Sequence, residues 1–209
     1  MSLVFDSENN LIDLRSARIF SPETQVWEEL GFIPDELVPV SETDAVTRLQ
    51  QQGGWCRVPV GILGGRKASE EQLADALELG TLIVRMGLTL ICGGRQGVME
   101  AACKGAADAG GISVGLLPDE NSDTANPYVT IPLATGIGLA RNAILTRAAL
   151  CLVAIGGGYG TLSEIAFGMQ FEKKVFGLSG APNIPGMLPC RSPKEAAARI
   201  ARVVLNLPQ

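Results

Sequence analysis

The stretch Cys151–Leu162, CLVAIGGGYGTL, decides the fold. Four apolar residues, Leu152–Ile155, run directly into Gly156, Gly157, Gly158 and Gly160, and Thr161-Leu162-Ser163-Glu164 then opens an amphipathic segment. The order is a buried strand, a glycine turn and a helix start. A helix that begins at the end of a strand aims several backbone N–H groups and the positive end of its dipole at one place. That place suits a phosphate.

The same pattern recurs upstream. VPVGIL (58–63) reads as a first buried strand and ends in Gly64-Gly65. Ser69-Glu70-Glu71-Gln72 is a capping-box start for a helix with Leu73, Leu77, Gly80 and Val84 at helical spacing. LTLIC (88–92) is a second strand, ending in Gly93-Gly94-Arg95-Gln96-Gly97, and the small residues of VMEAACKGAADAG predict a helix packed closely on a sheet. ISVGLLP (112–118) is a third strand and Tyr128–Leu133 a short one. A helix is expected over Gly138–Leu150, and a further strand over Lys174–Leu178. Ser192-Pro193-Lys194-Glu195 starts the last helix with an N-cap Ser and Pro at the first helical position. Strands alternating with helices in this way predict an α/β fold. Its core is a doubly wound, Rossmann-like parallel sheet with helices on both faces. Ligands of such sheets sit at the carboxyl ends of the strands, where three glycine turns gather here.

Residues 1–56 differ from the 57–209 unit. LVFD-SENN-LIDL reads as a hairpin, and ARIFSPETQVWEEL as a second one with SPET as its turn. Pro34, Pro39 and a polar stretch through Gln50–Gly54 then carry the chain onward. This predicts a small β-rich appendage to a Rossmann-like ligand-binding domain, with Trp27 and Trp55 anchoring it to the core.

Composition narrows the function. In 209 residues, 46% are hydrophobic, 19% are charged and 25 are Gly, which is a globular balance. A formal net charge of −5 argues against a nucleic-acid or anionic-membrane surface. The absence of His removes His-based metal sites and Ser-His-Asp or Cys-His mechanisms. Five cysteines without a C-x-x-C pair argue against a disulfide framework, and Cys92 and Cys151 fall in strands as small apolar residues. No signal-like segment and no long apolar run is present, so a cytoplasmic protein is expected. No G-x-G-x-x-G follows the first strand, so NAD is not expected as a cofactor; no G-K-[ST] closes a glycine run, so there is no P-loop. Neither a metal nor a required cofactor is implied.

Gly157-Gly158-Tyr159-Gly160-Thr161 with Glu164 resembles the G-G-x-G-T-x-x-E signature of the Lonely guy family. Those are nucleoside-5′-monophosphate phosphoribohydrolases that activate cytokinins, with relatives once labelled as lysine decarboxylases. The resemblance spans about residues 58–180. GGRQGVMEAACKGA (93–106), NPYVTIPLATG (126–136), ARN (140–142) and IGGGYGTLSEIA (155–166) are together more similar to the related molybdenum-cofactor carrier branch. The resemblance implies a phosphorylated small molecule as partner, molybdenum cofactor as one such ligand, and a homodimer or higher homo-oligomer; Ile165, Phe167, Met169 and Phe171 are compatible with an interface or a core. The converging glycine turns, the cationic and polar residues beside them and the residues that the resemblance adds give a candidate ligand site of Gly64, Gly65, Arg66, Gly93, Gly94, Arg141, Asn142, Gly157, Gly158, Tyr159, Gly160 and Thr161. If the chain is an enzyme, Arg141 and Glu164 are the catalytic pair for cleaving an N-glycosidic bond.

Three departures from the phosphoribohydrolase pattern are visible. Gly156 stands where those enzymes typically carry Pro, Asn142 where they carry Lys, and Arg66-Lys67 follows the first glycine turn in place of small hydroxyl residues. The extra cations suit a more highly phosphorylated or larger pterin ligand. Thr161–Glu164 is also a capping box, so Glu164 has a structural reading beside the catalytic one. A cofactor carrier, a phosphoribohydrolase and a nucleotide-sensing regulator therefore stay open.

Overall fold

The computed structural model describes residues 2–53 and 58–209. Trp55, Cys56 and the boundary expected after residue 56 lie outside those residues.

The first sheet is antiparallel and small. Its strands are β1 (Leu3–Phe5), β2 (Leu11–Asp13), β3 (Arg18–Ser21), β4 (Val26–Glu29) and β5 (Val38–Pro39), in the order β4-β3-β2-β1-β5. Both expected hairpins are present, β1 with β2 and β3 with β4. The polar stretch expected to act as a connector instead contains α1 (Glu42–Gln52). Ser41 caps it by accepting from the Asp44 amide, and Ala45, Val46 and Leu49 form a narrow buried stripe that the surrounding Gln and Thr residues obscure.

The main sheet has seven strands, all pairs parallel. They are β6 (Val60–Gly64), β7 (Leu90–Cys92), β8 (Ser113–Leu117), β9 (Ile131–Ala134), β10 (Leu152–Ile155), β11 (Val175–Leu178) and β12 (Leu188–Pro189). Their order is β12-β11-β10-β6-β7-β8-β9. Side chains alternate between two cores, as a strand's period of two requires. Val60, Ile62, Val153 and Ile155 face one core, and Leu63, Leu152 and Ala154 face the other. The first core is covered by α2 (Glu70–Arg85), α3 (Val98–Asp108) and α6 (Pro193–Val204); the second by α4 (Arg141–Ala148) and α5 (Tyr159–Gln170). This is the doubly wound architecture expected. β12 is too short to register in a sequence pattern.

Helix α2 has the Ser69/Gln72 capping box, but its buried face is Ala76, Leu79, Gly80 and Ile83, with Leu73, Leu77 and Val84 on the flank. The reason is the α2–α3 crossing. A Cβ on Gly80 would stand 2.2 Å from the Ala102 carbonyl oxygen, and one on Gly105 would stand 2.0 Å from that of Leu77. The two backbones touch there, which pulls the stripe toward the glycine.

The small sheet shares the first core through Leu3, Phe5, Leu11 and Phe20. Trp27 packs on Phe20 and its Nε1 donates to the Leu205 carbonyl at 2.6 Å, while Arg202 pairs with Glu42 at 2.9 Å. Trp27 is an anchor, as expected. No described helix is long and apolar enough to cross a membrane.

Candidate functional site

Strands β10, β6 and β7 are neighbours, and the strand order reverses between β6 and β10. The chain leaves β6 for one face of the sheet and β10 for the other, so a crevice opens outside their carboxyl ends. A cavity of about 230 Å³ lies in it. Its walls are Gly64, Gly65 and Arg66 after β6, Arg95 and Met99 after β7, and Pro118 after β8. Leu139, Arg141 and Asn142 line it from the start of α4, and Gly158, Gly160, Thr161 and Glu164 from α5.

The glycines of the opening turn differ in what they do. Gly156 has φ +54 and Gly157 φ +134, conformations closed to proline and strained for any other side chain. Proline cannot occupy position 156 in this turn, which accounts for the first departure from the phosphoribohydrolase pattern. Gly158 and Gly160 have no such backbone need, and a Cβ built on either would meet nothing within 4 Å. Space stands open in front of both. The first intrahelical bond of α5 runs from the Leu162 amide to the Gly158 carbonyl, so the amides before it have no partner within the helix. An anion at this turn would meet those amides and the helix dipole together.

Arg141 and Glu164 are brought together. Arg141 Nη1 donates to Glu164 Oε1 at 3.1 Å, and each residue is 7% exposed. The guanidinium lies over Gly93, where a Cβ would stand 2.4 Å from Nη2, so that glycine is a seat for Arg141. Burial pushes the Glu164 carboxyl up to about 7, against the pull of Arg141. The capping-box reading of Glu164 fails. Helix α5 starts at Tyr159 with Gly158 as N-cap, so Thr161 and Glu164 are buried interior residues and not a cap pair.

Asn142 is also buried, and its geometry is determined. Ser163 Oγ gives its one proton to the Gly160 carbonyl at 2.7 Å, so it must accept from Asn142 Nδ2 at 2.9 Å. Among the described residues, that leaves Asn142 Oδ1 without a partner, and Arg141 Nε has none either. A lysine at 142 would offer only donors; asparagine offers an acceptor.

Other expected residues fall elsewhere. Gly94 packs on Gly115 and Leu117 and, like Gly93, is buried behind the cavity wall. The Tyr159 side chain is 93% exposed, and neither it nor Gly157 lines the cavity. Arg95 is the residue that sequence reading missed. It is half-buried in the wall, pairs with Asp119 at 3.0 Å, and is held by Asn126 Nδ2, which donates to its carbonyl at 3.0 Å. Its place directly after a strand-end glycine pair was the available signal.

Comparison with known proteins follows this geometry. Residues 57–203 match the SLOG cluster4 family. The chain is 41% identical over 137 residues to a protein of Archaeoglobus fulgidus, covering 66% of this chain and 90% of that one. It is 33% identical over 109 residues to the rice cytokinin riboside 5′-monophosphate phosphoribohydrolase LOG, covering 50% of this chain and only 44% of the rice protein. Among solved structures, the molybdenum cofactor binding protein of Rippkaea orientalis superposes with TM-score 0.67 at 33% identity, covering 71% of this chain and 98% of that one. The molybdenum cofactor carrier protein of Chlamydomonas reinhardtii superposes with TM-score 0.66 at 32% identity, with coverage of 71% and 99%. The chain belongs to the SLOG cluster4 family, in the Lonely guy superfamily near the molybdenum-cofactor carrier branch.

Proposed function

We propose that this protein binds a phosphorylated pterin- or nucleotide-type molecule, with the phosphate against Gly158–Thr161, and that it acts as a molybdenum-cofactor carrier. The observation that carries the reading is the open space before Gly158 and Gly160, two glycines with no steric or conformational need of their own. Arg66 and the unpartnered Arg141 Nε add donors to the same cavity, and the free Asn142 Oδ1 accepts from a ligand hydroxyl or ring N–H. The similarity to two cofactor-binding structures supports the choice of ligand. Purified protein dialysed to equilibrium against molybdenum cofactor should retain it and slow its oxidation. Loss of the cofactor at the rate of a protein-free control would sink the proposal.

One observation favours a second reading, a phosphoribohydrolase. Glu164 is buried in the cavity wall and held by Arg141 at 3.1 Å, which suits a carboxylate that stabilises an oxocarbenium-like state and aligns water. On this reading AMP or a cytokinin ribotide yields free base and ribose 5-phosphate, and Glu164→Gln abolishes the release. A nucleotide panel that yields no base eliminates it.

We further propose a cytoplasmic homo-oligomer. The free thiols at 92, 103, 151 and 190 suit a reducing compartment. Leu139, Ile144 and Phe167 leave an apolar surface on α4, α5 and the turn before α4, whereas Ile165 is fully buried in the core and Met169 packs against it. Light scattering behind a sizing column tests the assembly, and a monomer mass excludes it.

A further inference from the structure

The cavity presents cationic side chains beyond the phosphate turn. Three arginines line it, against one lining carboxylate, Glu164, which Arg141 already engages. Arg66 has no ion pair or hydrogen bond with any described residue, so all five of its N–H donors are free. Arg95 spends one donor, Nη2, on Asp119. That carboxylate also accepts from Thr124 Oγ1, and the Asn126 amide donates to the Gly94 carbonyl at 2.9 Å, so the 118–126 loop fixes Arg95 in both side chain and backbone. The backbone beneath Arg66 is fixed too. Gly97 sits against the Gly65 and Arg66 carbonyls, and the Val98 amide donates to the Gly65 carbonyl at 3.1 Å.

Arg66 follows β6, which lies between β10 and β7, and Arg95 follows β7, whereas the phosphate turn follows β10. We infer that Arg66 and Arg95 form a second anion subsite, and that the physiological ligand carries two separated anionic groups. One lies on the Gly158–Thr161 turn and the other is clasped by the two guanidinium groups. Asp119 is a positioning residue for Arg95. Planar guanidinium forks favour an oxyanion such as a second phosphate or a carboxylate, which they grip through paired N–H bonds. The inference rests on the phosphate reading of the Gly158–Thr161 turn.

Isothermal titration of the full chain with AMP, ADP and adenosine 3′,5′-bisphosphate tests it. At least one two-phosphate nucleotide should bind roughly tenfold more tightly than AMP, a preference that weakens with added salt. Arg66→Ala and Arg95→Gln should each bring that ratio close to one, and Asp119→Asn should reduce it partway. Arg66→Ala removes no ion pair or hydrogen bond with any described residue, so it keeps the test sharp if an Arg95 variant is unstable. AMP binding with no preference for a second phosphate overturns the second subsite alone. A preference that survives both arginine variants also overturns it. Failure of the wild-type protein to bind any of the three overturns the phosphate turn, and the subsite with it.

Discussion

Gly80 and Gly105 at the α2–α3 crossing, and Gly158 and Gly160 at the start of α5, are the same residue used for opposite reasons. At the crossing, the missing Cβ atoms let two backbones meet, and any side chain would enter a carbonyl oxygen. At the turn, the missing Cβ atoms face nothing the protein supplies. Glycine carries an entropic cost in both places, and in a helix about 0.5–1 kcal/mol relative to alanine. The crossing recovers that cost by packing. The turn recovers nothing within the protein, which is what the proposed phosphate site would require.

The largest effect expected from breaking this contrast is at the crossing. Gly105→Ala should destabilise the fold by about 3 kcal/mol through overpacking against backbone that cannot yield, seen as a lower midpoint in urea unfolding. At the turn the sign reverses. Gly160→Ala should leave stability unchanged or raise it by about 0.5 kcal/mol, while weakening phosphate or AMP binding by roughly tenfold or more. A Gly160→Ala protein that binds as well as wild type would remove the contrast.

A subtler test concerns the buried acid behind the turn. Glu164 holds its proton more tightly folded than unfolded, its carboxyl rising from an ordinary 4.5 to about 7. Its contribution to stability is therefore fully present below about pH 4.5 and is lost as pH rises through 7. Thermal unfolding across this range should show wild type losing ground to Glu164→Gln as pH increases. Parallel curves would mean that the carboxyl titrates in its ordinary range. The smallest effect is expected at Trp27. Trp27→Phe keeps the ring on Phe20 but loses the bond to Leu205, costing about 1 kcal/mol in the same assay.

Much of this was legible in the sequence because the elements of a parallel sheet announce themselves. Continuous apolar runs such as Leu152–Ile155, ended by glycine pairs, mark strands buried on both faces. The Ser69 and Ser192 caps mark helix starts. Helix α1 was hidden because only three apolar side chains turn inward among Thr, Arg and Gln residues. The phase of α2 was hidden because Gly80, with no side chain, sets it. At the site, the family resemblance, not spacing, put Arg141 beside Glu164, and the two side chains do form an ion pair. Spacing could not distinguish a cap from a buried acid, since Thr161–Glu164 satisfies both patterns until the helix is seen to begin at Tyr159. Gly93 illustrates a further limit: a glycine pair at a strand end reads as a ligand turn, yet this one makes room for an arginine.

The Trp27–Leu205 hydrogen bond joins residues 178 positions apart in the chain. The hairpin bearing Trp27 is made early and its acceptor late, so this link between the small sheet and the main unit closes only at the end of synthesis. Contacts of such long range slow folding and leave apolar edges exposed meanwhile. The N-terminal sheet is therefore tied to the rest of the protein by one of its last-made residues.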